Sequence, residues 1–274
     1  MLMGGLISSP LAIWDGGQLA ADLDVAMADA MDATDIRARA VVVLRGAMEA
    51  GRAVIAAALE SDPFQARSAT RTYSWLTDQI VCAVLDLAHT RLHPNPMPTA
   101  AERLSVLGVG GYGRGEMAPF SDVDLLFLTP YKQTAWGESV IESVLYTLWD
   151  LKLKVGHATR TIDDCLRLAA EDLTIRTALL ERRHIWGDAA LARLLGQKLW
   201  RDLFKGTAPE FIEQKLEERT QRHSRHGGAR YVVEPNVKEG KGGLRDLQTL
   251  FWIAKYLHQV ETGADMVKAG VLRA

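Results

Sequence analysis

A chain of 274 residues exceeds the usual single-domain size, so one large domain or two smaller ones are expected. Hydrophobic residues at 48% and charged residues at 24% describe an ordinary globular protein and exclude a disordered one. A formal charge of -2 gives no general attraction to nucleic acid or to an anionic membrane, and no stretch approaches the ~20 apolar residues of a membrane span. The opening MLMGGLISSPLAIW is apolar, lacks a basic lead and is interrupted by Asp15, so it reads as a loose N-terminal segment and not as a secretion signal. From about Asp35 to Glu60 the chain is rich in Ala, Val, Leu and Arg without Pro, which predicts a long helix. A second helix is expected from near Phe64 to Arg91, broken by LHPNPMP. Leu104–Val109 and Val123–Leu128 are short apolar runs on either side of a glycine-rich turn and read as neighbouring strands. Helix is expected over Trp136–Leu151, a third strand over Lys154–Arg160, and helix in two or three pieces from Ile162 to about Lys205. A charged helix over Phe211–His226, an irregular stretch over Gly227–Gly243 and a helix over Leu244–Val260 complete the chain. Cys82 and Cys165 stand far apart and read as reduced thiols of a cytoplasmic protein.

The stretch that carries chemistry is LGVGGYGRGEMAPFSDVDLLFL, from Leu107 to Leu128. Asp122 and Asp124 are one residue apart on an expected strand, which puts both side chains on one face. Two carboxylates held that close repel each other, and divalent cations relieve the repulsion. Mg²⁺ prefers oxygen ligands from a few carboxylates plus substrate phosphates. Two such ions about 3.5–4 Å apart stabilise both the attacking and the leaving oxygens of a phosphoryl displacement. Upstream, Gly110, Gly111 and Gly113 let the backbone approach a phosphate closely with its N–H groups. Arg114 offers a charge-assisted contact and Ser121 a hydroxyl. A dinucleotide fingerprint opens into a helix, whereas here Pro119 and a second strand follow within a few residues. A D-x-D pair alone is most often a solvated strand end. Its specificity comes from the joint pattern of an apolar strand, Gly-Gly, the ten residues 112–121, and then Asp-apolar-Asp-apolar.

A second unusual segment is RYVVEPNVKEGKGGLRDLQTLFWIAKY, from Arg230 to Tyr256. Between Arg219 and Arg245 seven Lys and Arg face two Glu, an excess of +5 in a chain of net charge -2. Glycines directly before an expected helix, with Lys238, Lys241 and Arg245 nearby, suit a phosphate. An ordinary glycine-capped loop with a solvated basic face is the competing reading. His157 reads first as a structural histidine, and His184, His223 and His226 lack ligand spacing, so no zinc site is expected.

GGYGRGEMAPFSDVDLLFL resembles the signature of polymerase-β-like nucleotidyltransferases. Together with LWDLKLKVGHATRTIDDCL and EPNVKEGKGGLRDLQTLFW it resembles one family, the bifunctional uridylyltransferase/uridylyl-removing enzymes of bacterial nitrogen regulation, over roughly residues 35 to 274. The resemblance implies an α+β fold: a polymerase-β-like domain with a small mixed sheet, plus a mainly helical domain. The division expected is a helical segment over 1–92, a nucleotidyltransferase core over 93–170 and a helical domain over 171–274, cut short at its C-terminal end. It implies Mg²⁺-dependent transfer of UMP from UTP to a tyrosine of the PII signal protein, with release of pyrophosphate. No nucleic acid and no membrane partner is expected. Asp122 and Asp124 would be the catalytic metal ligands. Gly110, Gly111, Gly113, Arg114, Ser121, Lys238, Lys241 and Arg245 would bind nucleotide. Such enzymes continue into an HD phosphohydrolase and glutamine-sensing domains; this sequence contains no His-Asp dipeptide and reads as the transferase part alone. The superfamily often places a third carboxylate on a later strand, and Lys154–Arg160 has none; Glu116, Asp150 and Asp163 are substitutes. Two other readings stand beside this one, a catalytically silent nucleotide-binding module and an adenylyltransferase acting on glutamine synthetase.

Overall fold

The computed structural model describes residues 5–225, 236–260 and 263–273. The chain divides into two compact units: one runs to Asp164 and takes in Glu181–Arg193, and the other holds Cys165–Leu180 and the chain from Leu194 onward.

Two short helices open the first unit: α1 (Pro10–Ile13), inside the opening expected to be a loose segment, and α2 (Gly16–Met27), just beyond it. The Asp15 carboxylate that argued against a signal caps α2 by accepting from the Gln18 N–H. Helix α3 (Ala33–Ser61) starts at Asp32, whose side chain accepts from the Asp35 N–H. It buries Val41, Leu44, Met48, Gly51 and Ile55, the three-and-four spacing of one helix face. Helix α4 (Ala66–Leu87) adds Trp75, Leu76, Ile80 and Val84 to the same core and runs on through a π-turn to Leu92.

Strand β1 (Ser105–Gly108) leads through a single helical turn, α5 (Gly110–Gly113), to β2 (Val123–Thr129). Helix α6 (Ala135–Asp150) then crosses to β3 (Val155–Thr161). The fourth strand, β4 (Arg183–Gly187), lies where helix was expected. The sheet order is β3-β2-β1-β4, with β1 antiparallel to β2 and β4, and β2 parallel to β3. This is a small mixed sheet among helices, as the α+β reading requires. Because β1 and β2, the strands that flank the glycine turn, are antiparallel, the turn does not sit in the βαβ arrangement of a dinucleotide site. Val123, Leu125 and Phe127 of β2 face α3, α4 and α6 in one apolar core, so the alternate residues Asp124, Leu126 and Leu128 lie on the opposite face.

In the second unit, α8 (Leu173–Leu180) and α10 (Ala208–Arg225) each contact α11 (Leu244–His258). Helices α7 (Ile162–Glu171) and α9 (Ala189–Asp202) carry the chain between units, and α12 (Gly263–Lys268) packs Met266 with Ala254 and Val260. The centre of α10 and α11 is aromatic: Tyr256 stacks on Phe211 with centroids 4.0 Å apart, and its hydroxyl is 2.6 Å from the Thr207 hydroxyl. Lys215 is buried with its ammonium 4.7 Å from the Trp252 ring centroid and paired to Glu218. Cys82 and Cys165 are free thiols; burial pushes the Cys82 thiol up to about 12, so it stays protonated and unreactive. Among the described residues no helix is long and apolar enough to cross a membrane.

Candidate active site

After β1 the Val109 N–H donates to the Asp124 carbonyl at 3.0 Å, which ties the start of the glycine turn to β2. The turn then needs Gly110 at φ +57°, in the left-handed region that glycine enters without strain. A Cβ at Gly110 would lie 3.4 Å from Asp124 Oδ2. Across the parallel pair, Asp124 stands opposite Gly156, where a Cβ would come within 2.5 Å of Asp124 Oδ1. The Asp124 carboxylate is therefore seated between two glycines: space excludes a side chain at Gly156, and the positive φ strains one at Gly110.

Asp122 immediately precedes the strand and is exposed, while Asp124 is half-buried. The Asp124 carboxyl is pushed up from the ordinary carboxylate range, first by burial and then by the negative charge of Asp122. Two acidic oxygen donors close together, beside backbone that glycine leaves open, fit a hard divalent cation such as Mg²⁺. Among the described residues no group of three or more His, Cys, Asp and Glu side chains is gathered to hold an ion. Of the substitutes for a third ligand, Glu116 is exposed, Asp150 ends α6 and lies 3.7 Å from Arg37, and Asp163 is in the first turn of α7.

The structure thus brings together Asp122, Asp124 and Gly110, whereas a Cβ at Gly111 would meet Arg114 Nη2 at 3.6 Å. Gly113 and Arg114 lie at the far end of the turn and meet the segment before β4: a Cβ at Gly113 would come 2.0 Å from the Glu181 carbonyl, and Arg114 Nη1 donates to Glu181 Oε2 at 2.5 Å. Ser121 lies on the loop into β2 and lines a cavity of about 550 Å³ with Tyr73, Thr77 and Phe120. Val123 lines the same cavity, which places it on the α3/α4 side of β2. His157 stands opposite Leu125, so it too lies on the face away from Asp124, its ring edge-on to Trp149.

Lys238, Lys241 and Arg245 belong to the second unit. Arg245 spans Gln248 and Glu239 and lies 5.6 Å from the Trp252 ring centroid. Asp246 closes the loop before α11, accepting from the Gly242 N–H, Arg222 and His223. His223 therefore has an acidic partner that its sequence spacing did not reveal. Lys238 is exposed, with its carbonyl accepting from the Arg245 N–H. His226, Gly227, Arg230 and Glu234 lie outside the described residues.

Comparison with known proteins bears on this geometry. The family model described as GlnD PII-uridylyltransferase matches residues 210–274, and that of glutamate-ammonia ligase adenylyltransferase matches residues 12–158. A bifunctional uridylyltransferase/uridylyl-removing enzyme of Ruegeria pomeroyi is 57% identical over 259 residues, 94% of this chain and 28% of the relative. Enzymes of the same name from Cereibacter sphaeroides and Rhodospirillum rubrum are 56% and 49% identical over 99% and 98% of the chain. Over nearly its whole length the chain is similar to enzymes named bifunctional uridylyltransferase/uridylyl-removing enzyme. It spans 28–29% of the length of these relatives. Its first half, which carries the aspartates and the glycine turn, is also similar to the adenylyltransferases. Sequence reasoning passed over Asp78, Tyr112 and Arg183, three residues that meet beneath the glycine turn; they lie on α4, α5 and β4, and β4 itself was read as helix.

Proposed function

We propose that this chain carries the uridylyl-transfer site of these relatives: UMP passes from UTP to a tyrosine hydroxyl of the PII signal protein, and pyrophosphate leaves. The observation that carries the reading is the Asp122–Asp124 pair beside the Gly110–Gly113 turn, in a chain 57% identical to an enzyme of that name. Asp122 and Asp124 would hold Mg²⁺, which when bound supplies positive charge for the phosphate oxygens. The turn holds its backbone against Asp124 with no side chain at 110 or 111, leaving room for phosphate oxygens beside the carboxylates. Lys238, Lys241 and Arg245 remain candidates for phosphate or protein-substrate contacts. Transfer of this kind asks for positioning and charge stabilisation and for little covalent help.

The match of residues 12–158 to the adenylyltransferases favours a second reading, transfer of AMP to glutamine synthetase. One experiment separates the readings: labelled UTP or ATP with Mg²⁺, offered with PII or with glutamine synthetase, in wild type and in Asp122→Asn and Asp124→Asn. Label on PII from UTP alone, lost by at least ~10³-fold (about 4 kcal/mol) in either variant, is expected. Binding of nucleotide without turnover on any acceptor would instead identify a silent nucleotide-binding module.

A further inference from the structure

The transfer reading gives no role to three groups beneath the glycine turn, two of them buried and the third, Arg183, half-buried. Asp78, in the middle of α4, is 9% exposed, and Tyr112, within the turn, is 1% exposed. The Tyr112 hydroxyl donates to Asp78 Oδ1 at 2.7 Å. Arg183, the first residue of β4, donates through Nη1 to Asp78 Oδ2 at 2.6 Å and through Nη2 to Oδ1 at 3.0 Å. The same guanidinium donates to the carbonyls of Tyr112 at 3.1 Å and Gly113 at 3.3 Å, and lies 5.3 Å from the Tyr112 ring centroid. One carboxylate thus receives three donors, and one guanidinium joins α4, the turn and β4.

Stability alone is a poor explanation for such a cluster. Taking a carboxylate and a guanidinium out of water costs several kcal/mol per ion, and an apolar replacement of equal volume is often no less stable. What the cluster does provide is fixed geometry. The turn it grips touches the catalytic face at two points: the Val109 N–H bonded to the Asp124 carbonyl, and Gly110 against the Asp124 carboxylate. Steric restraint acts in the same sense. Gly108 leaves room for the Tyr112 ring, 3.0 Å from where a Cβ would be, and Gly113 abuts the Glu181 carbonyl.

We propose that Asp78 and Arg183, closed by the Tyr112 hydroxyl, are positioning residues that hold the Gly110–Gly113 turn in register with Asp124. This rests on the reading of that face as a nucleotidyl-transfer site. The test uses the chain as it stands, with Asp78→Asn, Arg183→Lys and Tyr112→Phe. Thermal unfolding is followed by circular dichroism, Mg·UTP affinity by calorimetry, and kcat and KM by transfer of UMP to PII. The folded variants are expected to lose about 10–100-fold in kcat/KM, with a weaker Mg·UTP affinity. Adding Tyr112→Phe to Asp78→Asn should cost little more, because both act through one clamp. If Asp78→Asn does not fold, Tyr112→Phe, which removes a single hydroxyl from a packed ring, carries the test. Folded variants that melt lower but keep wild-type affinity, kcat and KM overturn the proposal and leave the transfer reading intact. A wild-type chain inert towards Mg·UTP overturns both.

Discussion

Gly156 shows most clearly how a single position constrains the site. It carries no chemistry, yet its Cα stands opposite Asp124 and any Cβ would reach to 2.5 Å from the carboxylate. Gly156→Ala must therefore displace Asp124 Oδ1 or push β3 outward. Because residue 156 is exposed on an edge strand, the fold should tolerate the change. The expected outcome is a loss of roughly 10–100-fold in Mg·UTP affinity or turnover, with a melting temperature close to wild type. Calorimetry beside a thermal melt checks this, and unchanged affinity would show that Asp124 has room to move. The two aspartates and the glycine turn were legible in the sequence because their spacing is local. Gly156 was not, since its role depends on the register of a parallel pair joined through α6. Asp78 escaped for the same reason: on α4 it reads as one polar residue on an apolar face, and only the tertiary fold brings Arg183 to it.

Among the elements, the long helices and the first three strands followed from pattern, and the misses have physical causes. Strand β4 is five residues, RHIWG, with a single β-branched residue; it is a strand because β1 offers an edge, paired through an irregularity between Val106 and Leu107. Helix α2 buries only Leu19, so its amphipathic signal is faint. The segment EGKGGLRD is tied both within itself and to α10: Asp246 accepts from the Gly242 N–H, Arg222 and His223, and Arg245 spans Glu239 and Gln248. The helices it joins depend on aromatic packing. Phe211 is fully buried and stacked on Tyr256. Phe211→Ala should lower stability by about 3–5 kcal/mol, measured by denaturant unfolding followed through α-helical circular dichroism. A shift below 1 kcal/mol would mean that the stack is not what joins α10 to α11.

For the molecule as a whole, the sheet belongs to one unit although its fourth strand is reached only after the chain has passed through part of the other. Ser105 pairs with Leu128 across 23 positions and with Gly187 across 82. On loop-closure grounds the second pairing costs about 1 kcal/mol more to bring together. Refolding followed by pulsed amide exchange should therefore protect the β1–β2 and β2–β3 ladders before the β1–β4 ladder. Simultaneous protection of all three would show that the sheet forms in one step.

The same topology has a consequence during synthesis. When β2 and β3 leave the ribosome, β1 can pair on one side only, and its other row of N–H and C=O groups stays open until residues 183–187 emerge. At ~5–20 residues per second, the stretch from β1 to β4 takes roughly 4–16 s to translate. For that interval the nascent chain displays an unpaired strand edge, the feature that recruits wrong partners in a crowded cell. Arg183 arrives with the strand that closes it, so the completion of the sheet and the locking of the glycine turn are one event.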